Sequence, residues 1–537
     1  MNLLSNQLTM QRFCSSGLVR HFSEVLITLW RWRPRVKKNL GTTTTLLLFL
    51  PLLIATAFIS SLWNSDTSNF SVHNISRNKT VIIVSRKPQN RPPKRITTPL
   101  NCVKNQTQTC PTNYPKTSQT QKSISDYSIT PTSTCPDYFR WIHEDLSPWK
   151  VTGITRDMLE RANQTAHFRL VLVNNKVYIH KYKQSIQTRD VFTIWGILQL
   201  LRKYPGRLPD LELMFDCDDR PVVLSRDYSG PNNKGPPPLF RYSGDRWTMD
   251  IVFPDWSFWG WAEININPWE SLLRELKEGN NRRNWIDREP YAYWKGNPFV
   301  AETRRDLLTC NLSDKHDWNA RLYVQDWILE SKRGFQQSNL ASQCAHRYKI
   351  YIEGYAWSVS EKYILACDSM TLLVKPYFHD FFIRYLQPLR HYWPIRDKDK
   401  CKSIKFAVDW GNTHKQKQAQ EIGRAASNFI QEELKMEYVY DYMFHLLNEY
   451  AKLLKFKPVA PDGAVEVCSE TMACNANGSH KKFMMESLVK GPSITNPCTL
   501  PPPYEPKVLG AFYRRKLNAI LQVQKWEDRY WESLKKQ

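Results

Sequence analysis

The sequence predicts an α/β architecture of two halves facing a cleft, and three observations carry that prediction. Short apolar strands alternate with helices of 3.6-residue periodicity from residue 135 to about 457. Strand–loop–helix–strand units recur in two regions, around 165–300 and 330–460. Polar or glycine-bearing loops follow directly on the strands, and parallel sheets bind ligands at those carboxyl ends.

The elements follow in order. Residues 169–180 (RLVLVNNKVYIH) read as a hairpin, with Asn174 and Asn175 supplying the turn because Asn tolerates positive φ. Residues 191–204 space their apolar side chains as a helix, and 211–215 (LELMF) form a short strand running into Asp216, Cys217, Asp218 and Asp219. A strand ends at Gly296-Asn297. The strand 349–353 (KIYIE) leads into the loop 354–360, a helix over 361–367 and a strand over 370–375. Residues 418–454 read as one or two long helices, with Leu446, Leu447, Tyr450, Leu453 and Leu454 on one stripe. The expected lobes are 135–330 and 331–457. The extension 458–537 is expected to be loop-like to 509, then a basic amphipathic helix packed on the domain.

Ahead of the lobes, residues 39–65 carry no charge, and 41–63 are long enough to cross about 30 Å of hydrocarbon as a helix. Arg31, Arg33, Arg35, Lys37 and Lys38 precede this run, which predicts a single-pass type II anchor with a cytosolic N-terminus, 1–40, and a lumenal remainder. A cleaved signal peptide would be shorter and nearer the start. Residues 64–134, rich in Ser, Thr, Asn, Pro and Lys, read as a disordered stem. N-glycosylation sequons stand at Asn69, Asn74, Asn78, Asn105, Asn163, Asn311 and Asn477. Of 12 cysteines, 11 lie beyond the anchor, so an oxidising lumen leaves one without an internal partner. The stretch 533–537 is not an ER-retrieval signal, which makes the Golgi membrane the expected location.

The net charge of +24 admits nucleic acid, anionic membrane or an anionic ligand as partners. No nucleic-acid-binding motif occurs, so nucleic acid is excluded. The 20 Trp, 25 Tyr and 23 Phe serve either a large core or sugar rings that pack on aromatic faces.

Three patches are candidates for chemistry. The cluster Asp216–Asp219 reads as a DxD-type metal site for a nucleotide-sugar diphosphate, as one carboxylate acting as general base, or as a solvated turn. The loop 354–360 places backbone N–H groups and the hydroxyls of Ser358 and Ser360 where a diphosphate would sit, or simply caps a helix. Asn297 with Arg304 and Arg305 offers a phosphate site, or ordinary surface arginine. No GxSxG elbow, P-loop or GxGxxG after a strand is present, which removes hydrolase, NTPase and dinucleotide readings.

In this order the patches carry a resemblance. CPDY at 135–138, IHEDLSPW at 142–149, RLPDLEL at 207–213, FPDWSFW at 253–259, YWKGN at 293–297 with Arg305-Asp306, YKIYIEG at 348–354, and SVSEKY at 358–363 with Cys367 resemble the Rumi-type protein O-glucosyltransferases. That family is shared with fungal capsule-associated glycosyltransferases, and the chain looks most like its plant members. The resemblance implies a GT-B fold of two Rossmann-like lobes, acceptor side first and donor side second. It also implies inverting transfer from a UDP-sugar without metal or other cofactor. By the same resemblance Asp219 is the catalytic base. Donor binding falls to Gly296, Asn297, Arg305 and the loop Tyr355, Ala356, Trp357, Ser358, Val359 and Ser360, and Cys344 pairs with Cys367. The chain departs from members that glucosylate epidermal-growth-factor-like repeats: they have Ser at Asn297, Arg at Ser360 and an ER-retrieval signal. One residue is inserted before Arg305, so Arg304 is an alternative match. The expectation is a Golgi lumenal transferase moving glucose or xylose from UDP-glucose or UDP-xylose to a hydroxyl of a protein or polysaccharide. The alternatives are a metal-dependent DxD transferase and a non-enzymatic sugar-binding protein.

Overall fold

The computed structural model describes residues 97–102, 109–111, 133–230, 234–413 and 415–536, all within one compact unit, Pro92–Gln537. The anchor 41–63 and the sequons Asn69, Asn74, Asn78 and Asn105 lie outside the described residues. Among the described residues no helix is long and apolar enough to cross a membrane.

The first strands are β1 (Phe168–Val173), β2 (Lys176–Lys181), β3 (Leu211–Phe215), β4 (Leu239–Arg241), β5 (Gly244–Asp245) and β6 (Ile251–Val252). The rest are β7 (Glu289–Gly296), β8 (Ala320–Val324), β9 (His346–Tyr351), β10 (Met370–Val374), β11 (Phe378–His379), β12 (Trp393–Ile395) and β13 (Val465–Val467). One sheet has the order β13-β2-β1-β3-β4-β6, a second β12-β10-β9-β7-β8, and β11 pairs with β5 in a short ribbon.

The first sheet is mixed, where the sequence suggested parallel pairing. Asn174 and Asn175 have φ of 51° and 64°, the left-handed pair of a two-residue hairpin, so β1 and β2 run antiparallel. β3 also lies antiparallel to β1, and parallel pairing begins only at β3–β4 and β4–β6. The second sheet is parallel throughout. Its β10 is buried along its whole length, as expected of a strand covered on both faces. β7 and β8 belong to this sheet, so the change of sheet falls between β6 and β7, ahead of the expected boundary at 330.

Helices cover the sheets. They include α1 (Arg189–Lys203), α2 (Trp269–Asn281), α3 (Glu302–Leu307), α4 (Ser360–Leu365), α5 (Lys400–Asn412), α6 (Gln416–Glu433), α7 (Met436–Leu453) and α8 (Pro506–Lys535). The apolar stretch 418–454 is thus two helices, and Leu446, Leu447 and Tyr450 of α7 are fully buried.

The C-terminal extension is structural. β13 completes the edge of the first sheet against β2, where the sequence suggested only loop. α8 joins two cores: Phe512 packs near Trp141 in one, while Val523, Trp526 and Tyr530 pack with Trp393 and Phe406 in the other. Arg396 pairs with Asp528 at 2.7 Å, and Glu527 accepts from Ser403 at 2.8 Å, which fixes the helix at its far end.

Five disulfides close the unit: Cys102–Cys474, Cys110–Cys468, Cys135–Cys498, Cys310–Cys401 and Cys344–Cys367. The last is the pairing implied by the resemblance. The odd cysteine is Cys217, which is buried, so it is closed to an intermolecular partner. Two disulfides reach back into the stretch read as stem, and Thr98 N–H donates to Lys490 O at 2.8 Å. Residues 97–102 and 109–111 are therefore held on the domain, contrary to a uniformly disordered 64–134. Asn163 and Asn477 are exposed as glycan acceptors should be, whereas half-buried Asn311 exchanges amide hydrogen bonds with the Leu322 backbone.

Candidate active site

The sheets bound a cleft of about 310 Å³. From the first-sheet side come Arg189, Asp219, Trp256 and Trp261. From the second come Gly296, Asn297, Arg304, Gly354, Tyr355, Trp357, Ser358, Val359 and Ser360.

Asp219 reaches the cleft because the chain folds back after β3. Asp216 Oδ1 accepts the Asp218 N–H at 2.9 Å, and fully buried Arg241 donates to Asp218 O at 3.0 Å, to Arg220 O and to Asp216 Oδ2. Ser243 Oγ donates to Asp219 O at 2.8 Å. With its backbone clamped, Asp219 presents a carboxylate whose Oδ1 accepts from Arg189 Nη1 at 2.6 Å. Arg189 also donates to Cys217 O at 3.1 Å and lies 4.4 Å over the Trp256 ring, so its charge is fixed from below and behind.

Asp216, Asp218 and His167 group closely enough to suggest a metal. Neither aspartate lines the cleft, and Asp216 is spent on Arg241 and on the Asp218 amide. Burial pushes the Asp216 carboxyl up, but His167, Arg241 and the amide outweigh it and hold the group below the usual carboxylate range. A second grouping, Cys135, Cys498 and His445, is closed by its disulfide. Burial pushes the Cys217 thiol well up, which keeps it protonated and inert.

On the other wall, β9 runs into the loop at Gly354. Gly354 N–H donates to Ala356 O at 2.9 Å, Ser358 N–H to Tyr351 Oη at 3.1 Å, and the Ser358 and Ser360 hydroxyls meet at 2.9 Å. Ala356 is buried behind this loop and does not line the cleft.

Arg305 is exposed and outside the cleft, whereas its neighbour Arg304 lies in the wall. The two sit on α3, where one residue turns the side chain by about 100°. Arg304 donates to Glu353 O at 2.9 Å, Ile352 O at 3.1 Å, Asn297 O at 3.2 Å and Ser358 Oγ at 3.0 Å. It thereby gathers the ends of β7 and β9 and the loop at one point. Burial lowers its pKa to about 10, which still leaves it charged at neutral pH, and it forms no ion pair among the described residues. Asn297 uses Oδ1 to cap the Phe299 N–H at 2.9 Å.

Two further groups were not singled out in the sequence. Lys349 lines the cleft, its Nζ 3.4 Å from Cys367 Sγ, and burial pushes it down to about 7. Glu353 accepts from Tyr377 and Phe378 N–H groups, and burial pushes it up to about 7.

A cleft that sets one arginine-held carboxylate in the same space as an unneutralised buried arginine and a hydroxyl-bearing loop fits a glycosyl-transfer enzyme. The chain belongs to glycosyl transferase family 90, whose sequence profile matches residues 130–527. It is similar to O-glucosyltransferase rumi of Drosophila melanogaster, 23% identical over 372 residues that span 65% of this chain and 86% of that protein. It is also similar to Protein O-glucosyltransferase 1 of Homo sapiens, 25% identical over 358 residues that span 63% and 86%. The protein is therefore a Rumi-type glycosyltransferase, with the mixed α/β architecture and disulfides described above.

Proposed function

We propose that this enzyme transfers glucose or xylose, with inversion, from a UDP-sugar to a hydroxyl of a protein or polysaccharide, and that its lobes form a GT-B pair. The observation that carries the reading is Asp219, held by Arg189 inside the cleft that Arg304 and the 354–360 loop also line. With Oδ1 on Arg189, Oδ2 is the oxygen that takes the acceptor proton as the hydroxyl attacks the anomeric carbon. The leaving UDP carries its charge toward Arg304 and the Ser358 and Ser360 hydroxyls. Asn297, its oxygen engaged as a cap, offers an amide N–H to the donor. This division of work asks no metal of Asp216 and Asp218. We further propose that 41–63 anchors the chain in the Golgi membrane with this unit in the lumen, where UDP is the product.

The test is a screen of UDP-sugars with the full-length chain, products read by mass spectrometry, with and without EDTA. Product from UDP-glucose or UDP-xylose in EDTA supports the reading. Dependence on added metal returns it to the DxD alternative, and sugar binding with no UDP affinity returns it to a non-enzymatic protein.

A further inference from the structure

We propose that the lip of the cleft is an acceptor subsite for an acidic polysaccharide, one bearing carboxylate sugars; this rests on the transferase reading above. Three large aromatic residues stand exposed on segments tied to the cleft by backbone contacts: Tyr355 at 56%, which lines it, Trp247 at 60% and Tyr377 at 59%. Each carries a cation on its ring: Arg246 4.3 Å from the Trp247 centroid, Lys375 5.5 Å from Tyr377 and Arg220 4.1 Å from Tyr355. None of these cations forms an ion pair within 4.0 Å among the described residues.

Backbone contacts connect the three segments to the chain that carries Asp219. Arg220 follows Asp219 directly and donates from Nε to Tyr355 O at 2.9 Å, joining the first-sheet wall to the loop of the second. Ser243, which holds the Asp219 carbonyl, leads into β5, and β5 pairs with β11 in the register Phe378↔Asp245. Tyr377 directly precedes β11, and Arg246 and Trp247 form the turn that directly follows β5. Glu353, two residues before Tyr355, holds the Tyr377 N–H at 3.1 Å, and Trp247 O accepts from Ser225 N–H and Oγ at 2.8 and 2.9 Å. The rings are thus carried on a fixed backbone.

Exposed aromatics on a rigid backbone give flat faces at little entropic cost on binding. A cation over one face leaves the other for the C–H face of a pyranose, and unpaired guanidinium groups match carboxylates. An extended glycan laid along this lip passes hydroxyls over Asp219 one after another. A folded protein acceptor would not call for a ring-and-cation pair repeated three times.

The experiment measures UDP affinity by calorimetry, then binding and transfer to homogalacturonan oligomers, their methyl esters and an epidermal-growth-factor-like repeat, all with the full-length chain. Absence of UDP affinity overturns the transferase reading itself. With UDP bound, the proposal expects the free-acid oligomers to bind best, with affinity falling as salt rises. Trp247→Ala and Tyr377→Ala should each weaken binding about fivefold. Arg246→Gln with Lys375→Gln should remove the preference for the acid over the ester. Equal binding of acid and ester by the unaltered chain overturns the proposal without any variant. So does transfer to the repeat that Trp247→Ala leaves unchanged while the glycans are ignored.

Discussion

On the six-stranded side, the cleft wall hangs on charge pairs: Asp219 on Arg189, and Asp216 on Arg241. On the five-stranded side it hangs on neutral acceptors: three carbonyls and the Ser358 hydroxyl all take hydrogen bonds from Arg304. The staples differ as well. Disulfides at the first sheet join residues 358 to 372 positions apart, whereas those of the second span 91 and 23. The mixed sheet depends on distant chain to close its edge and carries Asp219, the proposed base. The parallel sheet is locally closed and carries Arg304 and the 354–360 loop, the proposed donor surface. The proposed division of chemistry and donor binding between the two walls can therefore be tested by substitution.

The largest effect tests the first side. Asp219→Asn should lower kcat by about 10³-fold with UDP affinity kept, in steady-state assays beside calorimetry. Turnover close to that of the unaltered chain would remove the base from Asp219. Next, Cys135→Ser with Cys498→Ser should lower stability by about 2–4 kcal/mol in denaturant unfolding, because it opens a crosslink between residues 363 positions apart. Third, Arg304→Met should weaken UDP binding about 10- to 100-fold, since it removes a buried guanidinium that forms no ion pair among the described residues, while Arg305→Met leaves it unchanged. If Arg304→Met instead spared UDP and cut only kcat, the division between the walls would fail.

The smallest effect is a pH slope. Lys349 titrates near 7 when folded, below its ordinary 10.5, so between those values the unfolded chain binds more protons and stability rises with pH. The penalty for charging this buried amine is complete below pH 7. Lys349→Met should therefore raise Tm more at pH 6 than at pH 10, measured by scanning calorimetry. Glu353 runs the other way: its folded pKa near 7 lies above the ordinary 4.5, so its contribution falls as pH rises across that interval in both proteins.

Much of this was legible in the residues. The Asn174-Asn175 turn, strand 211–215 and the loop after β9 follow from local chemistry, and the structure has them. Pairing was not legible, because nothing local in LELMF says that β3 runs antiparallel to β1. β13, three residues long, has too few positions to show a period. Between Arg305 and its alternative Arg304, only Arg304 lines the cleft; two adjacent arginines differ only in helical phase, and phase depends on what α3 packs against. Arg189 lies 30 positions from Asp219, and only the fold makes them partners.

The long-range disulfides have a consequence in time. Cys102, Cys110 and Cys135 are made early, yet their partners follow 372, 358 and 363 residues later. At about 5–20 residues per second of synthesis, each early thiol waits roughly 20–70 s before its partner exists. Through that interval Cys310, Cys344, Cys367 and Cys401 emerge and compete for it. The correct bonds therefore call for a thiol–disulfide isomerase at the site of synthesis, and yield of the folded enzyme should track that helper's supply more closely than transcript level.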